Sequence, residues 1–477
     1  MVLSRMRIFL KGVFNNMFNK NTIEKRFNIA IGDNDTMIHS IEMWRDMYSG
    51  ESYWLNDITK DLGLASSIAG ELARLVTLEF ESEILNNDCI NANYQKFISN
   101  LKVYCEYACA KGGIVFKPYF EDGCISINII QADKFHPISF NSNGDIDSAV
   151  FIETKTIGDK IYSRVEYHSF EGKNYIIRNA AYEKSSLNSD LDSLGKEVPL
   201  ETVEEWSLLK EEIKLKNINK PLFSYFKIPL ANNIDCDSPL GVSVYAKAVN
   251  LIKEADKQYS RILWEYSSKE TAIHASSELF KPEDKGRINK IGLSERDNRL
   301  YKMLDIDPRS KVVDSIYAFS PEIRDDSLFN GLNQLLRRIE FNCGLAYGTL
   351  SDINETDKTA TEIKASKQRS YSTVKDIQKS LETSLKDLVY SIWVLAKIYK
   401  LPCQNIDIEN DIICNWDDSI VVDRDTELIS MFNDVSANLL RPEIYIAKKY
   451  NVSEKEALKM MPEVKEIPKS PMDRFEE

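Results

Sequence analysis

The chain has 477 residues, of which 43% are hydrophobic and 28% charged, and its formal net charge is −13. A chain of this length ordinarily makes two to four domains with a large core, its balance is that of a soluble protein, and no run of about 18 apolar residues is present to cross a bilayer. The negative charge excludes a protein that coats nucleic acid, which would need an excess of Lys and Arg to neutralise phosphates, so any contact with DNA has to be local or geometric.

The first twenty residues carry Arg5, Arg7 and Lys11 among Ile8, Phe9, Leu10, Val13 and Phe14. They lack the unbroken apolar core and small-residue cleavage site of a secretory signal, so the expectation is an amphipathic helix packed on protein, with a membrane surface as the second reading. Residues 36–83 are mostly helical in pattern. Residues 93–110 continue that way, with Phe97, Leu101, Tyr104 and Ala108 on one stripe. The period changes at Gly113. From there to Lys184 apolar and polar residues alternate, as in Ile125, Ile127 and Ile129, and turn residues at 121–123, 143–145, 158–160 and 171–173 predict successive antiparallel hairpins. Residues 185–220 are acidic and weakly patterned, which predicts an exposed excursion before the apolar run 222–230.

Two helical blocks follow. The first opens at Pro239-Leu240-Gly241, with Val242, Tyr245, Val249, Ile252, Tyr259 and Leu263 at helical spacing. The second, Leu328, Leu332, Leu335, Leu336 and Ile339, follows Pro321 and the acidic Asp325-Asp326, whose charge suits a helix N-terminus. Between them lies a polar insert in which residues 281–311 hold nine basic and six acidic side chains. That surplus is mild in one subunit but would be multiplied around the rim of a ring. After the second block, residues 344–358 are rich in Gly, Ser, Thr, Asn and Asp and read as a loop. Residues 359–399 resume a long helix with Ile377, Leu381, Leu385, Leu388, Ile392 and Leu395 on its apolar stripe, a basic front half, and Pro402 as terminator. Residues 404–477 hold seventeen acidic and nine basic side chains and predict a short strand near 412–416 followed by helices. There is no internal repeat.

Motifs for chemistry are weak. Cys105, Cys109 and Cys124 do not complete a zinc ligand set, since no CxxC or His pair accompanies them, and they read as small hydrophobes. The eight scattered cysteines fit reduced thiols and synthesis in a cytosol. His39, His136, His168 and His274 are far apart, and no GxSxG marks a nucleophile. No GxxxxGK[ST] phosphate loop is present, so P-loop hydrolysis of ATP is not expected. The pairs Asp325-Asp326 and Asp417-Asp418 read as helix-start or turn residues in preference to metal ligands.

The order of these blocks, with the string Asn415-Trp416-Asp417-Asp418-Ser419-Ile420-Val421-Val422-Asp423, resembles the portal proteins of tailed bacteriophages, in the form found in long-tailed phages of Gram-positive hosts. The resemblance implies an α+β portal fold with a helical stem and tunnel helix, an antiparallel β-rich wing, a mixed clip and a mainly helical crown. It divides the chain into N-terminal helices and wing at 1–238, a first stem helix at 239–268, clip at 269–320, second stem helix at 321–343, tunnel loop at 344–358, long tunnel helix at 359–401 and crown at 402–477. The implied function is non-enzymatic: a dodecameric ring at one capsid vertex that passes double-stranded DNA of any sequence in and out of the virion, assembled in the bacterial host cytoplasm. The implied partners are the terminase large subunit, the head-tail connector or adaptor, and the major capsid and scaffold proteins; no membrane and no cofactor are expected. Tyr347, Asn354, Lys358, Lys364 and Lys367 are the tunnel-facing candidates, and Lys285, Arg287, Lys290 and Arg296 the clip residues that dock a partner. A channel for any sequence should avoid base-edge contacts and tight phosphate binding, which an acidic chain with local basic positions satisfies. Another phage head component, such as a minor capsid protein, is the alternative, and a carboxylate-dependent hydrolase a further one.

Overall fold

A computed structural model describes residues 21–31, 35–121, 123–185, 194–269, 272–276, 301–304, 316–319, 322–352, 360–416, 424–450 and 454–460, with backbone only for 35, 272–276, 301–304, 316–319, 360–366, 424–427 and 454–456. The expected helix at 1–20 lies outside these residues. Two compact units are present, one ending at Asn415 and the other beginning at Trp416.

The first unit opens with a helical segment α1 (21–27), then α2 (Asp35–Tyr48) and α3 (Leu64–Val76). The helical pattern predicted to run through residue 83 ends sooner, because Glu81–Ile84 form strand β1 and pair with β14 (Ile412–Asn415). The helix predicted over 93–110 is two helices, α4 (Asp88–Ile98) and α5 (Leu101–Lys111), broken at Ser99-Asn100. Phe97, Leu101 and Ala108 are buried as their stripe predicts. Cys105 and Cys109 are buried in α5, and a hydrogen bond with Cys109, together with burial, raises the Cys105 thiol well above its ordinary range.

The alternating segment forms β2 (Gly113–Glu121), β3 (Cys124–Gln131), β4 (Phe135–Phe140), β5 (Ile146–Ile157), β6 (Lys160–Glu171) and β7 (Asn174–Ser185). All four predicted turn clusters fall between paired antiparallel strands. β4 to β7 make an antiparallel meander in which Phe151 stands opposite Glu166 and Val165 opposite Ala180. The acidic stretch after it differs from the exposed excursion expected. Its residues Lys196–Val198 (β8) and Glu212–Lys216 (β9) both pair with β7. Leu200, Val203 and Trp206 bury themselves against Tyr162 and Ala181. Few apolar residues at irregular spacing carry that packing, which is why the pattern is weak. Beyond it β10 (Ser224–Lys227) joins β2 and β3 in a three-stranded sheet.

The first helical block also starts later than its stripe suggests. Val242, Val244 and Tyr245 are buried but precede α6 (Val249–Ser268), in a segment held by Val244 N–H to Cys109 O at 3.0 Å. Gly241 backs directly onto the Gly112 carbonyl, where no Cβ fits. α6 packs beside α7 (Asp325–Cys343), which begins at the predicted acidic pair. Between them β11 (Ala272–Ser276) lies parallel to β12 (Tyr301–Leu304) and antiparallel to β13 (Ile316–Phe319).

The long helix α8 runs from Ala360 to Ile398. Ile377, Leu381, Leu385, Leu388 and Ile392 are buried as predicted, with Leu395 partly so. Its end is set before Pro402: Lys400 takes a left-handed φ of 55°, and Leu401 N–H returns to Ala396 O at 2.9 Å, closing the helix in the manner of a Schellman turn. The second unit contains α9 (Arg424–Ser436), α10 (Pro442–Tyr450) and α11 (Glu454–Met460).

Candidate functional site

The loop after α7 is built on one carboxylate. Gly344, with φ of 73°, caps α7, and a Cβ there would come within 2.5 Å of Thr373 Oγ1 on α8. The chain then folds back over the last turn of its own helix. Glu340, fully buried, accepts hydrogen bonds at Oε1 from the backbone N–H of Gly348 (3.1 Å), Leu350 (2.6 Å) and Ser351 (2.8 Å), and at Oε2 from the Ser351 hydroxyl (2.8 Å). Asn333, two turns earlier, clasps Asp352 through both its backbone groups, accepting from N–H at 2.9 Å and donating to the carbonyl at 3.3 Å. Backbone amides of a buried loop need acceptors, and here a helix side chain supplies them. The segment 344–352 is therefore a shaped platform.

Of the five tunnel candidates, Tyr347 is half-buried in this platform and Lys367 is exposed on α8. Lys364 belongs to the backbone of α8, and its side chain is not described; Asn354 and Lys358 lie outside the described residues. Arg369, not singled out from the sequence, stacks 4.3 Å over the Phe341 ring and sits 5.8 Å from that of Tyr347, joining α8 to the loop. Glu340 and Asn333 were also missed. One signal was available: an acidic residue in the last turn of a helix opposes the helix dipole, so its presence before a Gly-rich loop calls for a specific partner.

The insert between α6 and α7 has a clamped neck. Glu265, 2% exposed, pairs with Arg324 through Oε1 to Nε (3.2 Å) and Oε2 to Nη2 (2.9 Å), and with Lys269 Nζ at 2.7 Å. Lys269 also donates to Glu322 O at 2.6 Å. Lys285, Arg287, Lys290 and Arg296 lie outside the described residues. Hydrogen bonds from Arg324 and Lys269 push the Glu265 carboxyl down to about 2. A depressed carboxyl stabilises above the ordinary range near about 4.3 and loses that contribution as pH falls through its folded value. The expected result is a neck that opens between about pH 4.3 and about pH 2. Hydrogen exchange at residues 265–269 and 322–326 measures it, and Glu265→Gln should remove the dependence; equal pH profiles for the two proteins would contradict the clamp.

Farther down, α6 anchors the N-terminal half. Asp256 accepts from Trp54 Nε1 at 2.8 Å and from Leu62 N–H at 3.0 Å, while Ser260 Oγ accepts from Lys60 N–H at 2.8 Å. The buried face of α6 thus mixes Ile252, Ala255 and Ile262 with Asp256, Ser260 and Glu265, whereas Leu263 of the predicted stripe is exposed. Polar residues face inward because their partners lie on distant loops.

The family described as phage portal protein, SPP1 Gp6-like, matches residues 54–477. Similar chains occur in two solved structures. One is titled as the virion of a native gene transfer agent particle, with 11% identity over 88% of this chain and 94% of that one and a TM-score of 0.41. The other is titled as the neck of such a particle computed with C12 symmetry, with 10% identity, the same coverage and a TM-score of 0.41. No curated protein matches. Since the match leaves out only the residues before 54, the chain belongs to the phage portal protein family, SPP1 Gp6-like.

Proposed function

We propose that this chain is the portal protein of a tailed phage: twelve copies form a ring at one capsid vertex, double-stranded DNA enters and leaves through its bore, and the ring docks first the terminase motor and then the head-tail connector. In this reading β2 to β9 form the wing, α6 and α7 the stem, the insert the clip, residues 344–358 the tunnel loop, α8 the helix behind it, and the chain from 402 the crown. The implied clip-docking role of Lys285, Arg287, Lys290 and Arg296 is part of the proposal. The observation that supports it most is the uncovered apolar surface of the paired helices. Trp264 is 66% exposed, and Leu263, Tyr266, Phe329 and Phe341 are each 40% or more exposed. Aromatic area of this size on two packed helices suits a neighbour that covers it.

The test is the size and shape of the purified protein, with rings bearing an axial hole in electron micrographs as the expected result. Trp264→Glu should leave the subunit folded and reduce rings at least tenfold. Leu335→Asp, at a half-buried position on α7, should also weaken the subunit, by less than the roughly 3–5 kcal/mol of a fully buried unpaired charge. Monomeric parent protein, or parent-like rings from both variants, would refute the stem assignment.

A further inference from the structure

The second unit has almost no interior of its own. Of its described side chains only Ala457 is buried. Its helices are short, with 13 residues in α9, 9 in α10 and 7 in α11, and helices of this length are marginal in water unless an apolar face is packed. Ten large apolar side chains among the described residues are half or more exposed, and six of them, Ile429, Phe432, Leu439, Tyr450, Leu458 and Met460, fall within this unit. Apolar exposure so concentrated marks a surface that something covers. α10 packs against both α9 and α11, so bare groups stand on the two outer helices. α9 is apolar on two sides: Leu428, Met431 and Val435 are half-buried, while Ile429 and Phe432, on the adjacent stripe, are exposed.

Resting on the portal reading, we infer that the second unit is completed by the same unit of a neighbouring copy, head to tail, with α9 of one copy lying on α11 of the next. A contact between two different surfaces of one chain propagates around a ring, and each copy then covers both of its bare ends. The charges agree. α9 carries three acidic residues and one basic, a net of −2, whereas α10 and α11 together carry four basic and three acidic, a net of +1. Opposite signs draw such surfaces together and set their register. DNA fits this surface poorly, because residues 416–477 hold fourteen acidic and nine basic residues. The residues after 460 are poor cover as well, since eight of the seventeen are charged and three are proline.

The experiment measures hydrogen exchange at residues 428–460 of the full chain, in rings and in dissociated subunits. Protection in the ring is expected to exceed that in the free subunit at least tenfold, because only there do the helices gain a second packed face. Ile429→Asp and Leu458→Lys, at exposed positions of α9 and α11, should each remove that gain while leaving protection of the first unit unchanged. The two substitutions together should restore part of it, since in a head-to-tail contact the introduced carboxylate of one copy meets the introduced ammonium of the next. Equal protection in ring and free subunit overturns the proposal, and so does a double variant no better protected than either single one. Deleting residues 461–477 should leave the gain intact; its loss would assign the cover to that segment and overturn the contact between copies. Each of these results is read on rings that have formed and leaves the portal reading standing, whereas a parent chain that forms no ring refutes that reading and this contact with it.

Discussion

Glu340→Ala is expected to unlock the loop 344–352 and to destabilise the subunit by about 3 kcal/mol or more, because three backbone N–H groups and one hydroxyl lose the acceptor they have among the described residues, at about 1–3 kcal/mol for each donor left buried. The effects will not add fully, since a freed loop lets water in. Glu340→Gln should fall between, keeping one carbonyl oxygen for the three amides but presenting an NH₂ to the Ser351 hydroxyl. Urea unfolding gives the stability, and hydrogen exchange at Gly348, Leu350 and Ser351 gives the local consequence. Unchanged protection of those amides would show that the loop is held by something else. In the portal reading the same variant should disturb DNA passage more than Lys367→Ala, because it displaces the whole platform and Lys367 removes a single exposed charge.

The second large effect is expected at Glu166, on β6 in the middle of the β4 to β8 sheet. Its carboxylate accepts from Lys117 Nζ at 2.5 Å, lies 3.1 Å from Arg164 Nη1, and meets His168 Nε2 at 2.6 Å. His168 Nδ1 is in turn 2.7 Å from the Tyr175 hydroxyl, which accepts from Leu222 N–H at 3.0 Å. Burial favours the neutral ring, and in that form Nε2 carries the proton donated to the Glu166 carboxylate while Nδ1 accepts from the Tyr175 hydroxyl. Glu166→Leu leaves Lys117 and Arg164 buried without their shared carboxylate and should lower stability by roughly 3–5 kcal/mol. Lys117→Met with Glu166→Leu should recover much of that, since replacing both partners removes the uncompensated charge.

The acid limb of the stability curve follows from the same groups. Burial pushes the Glu166 carboxyl upward, but Lys117 and Arg164 outweigh it and hold it well below the ordinary range. Its contribution is complete above about pH 4.3 and is lost as pH falls below that. Burial lowers His168, so below about pH 6.5 the unfolded chain takes up a proton that the buried ring refuses, and stability declines from there. The expected curve falls in two stages toward acid, and Glu166→Leu should reduce the lower one. A single stage, unchanged by the substitution, would contradict this network.

Much of this architecture is legible in the amino-acid order, and the reason is that the signals are local. Turn clusters at 121–123, 143–145, 158–160 and 171–173 locate the hairpins of β2 to β7, because a tight turn needs particular residues within three or four positions. The acidic start of α7 and the apolar stripe of α8 are read the same way, from a helix dipole and a 3.6-residue period. The order of blocks is also enough to suggest the portal family, which the match over 54–477 bears out. What escapes sequence reading is every feature made by partners far apart along the chain. β1 and β14 pair across more than 300 residues, Glu265 finds Arg324 across the insert, and the buried Asp256 meets Trp54 and Leu62. The late start of α6 belongs here too, because Gly112 and Cys109 hold residues 241–244 out of helix although their spacing is helical. A buried polar group is stable only where its hydrogen bonds are met, and which groups meet is a property of the folded chain; periodicity records how a segment faces a core and carries no information about what lies on the other side.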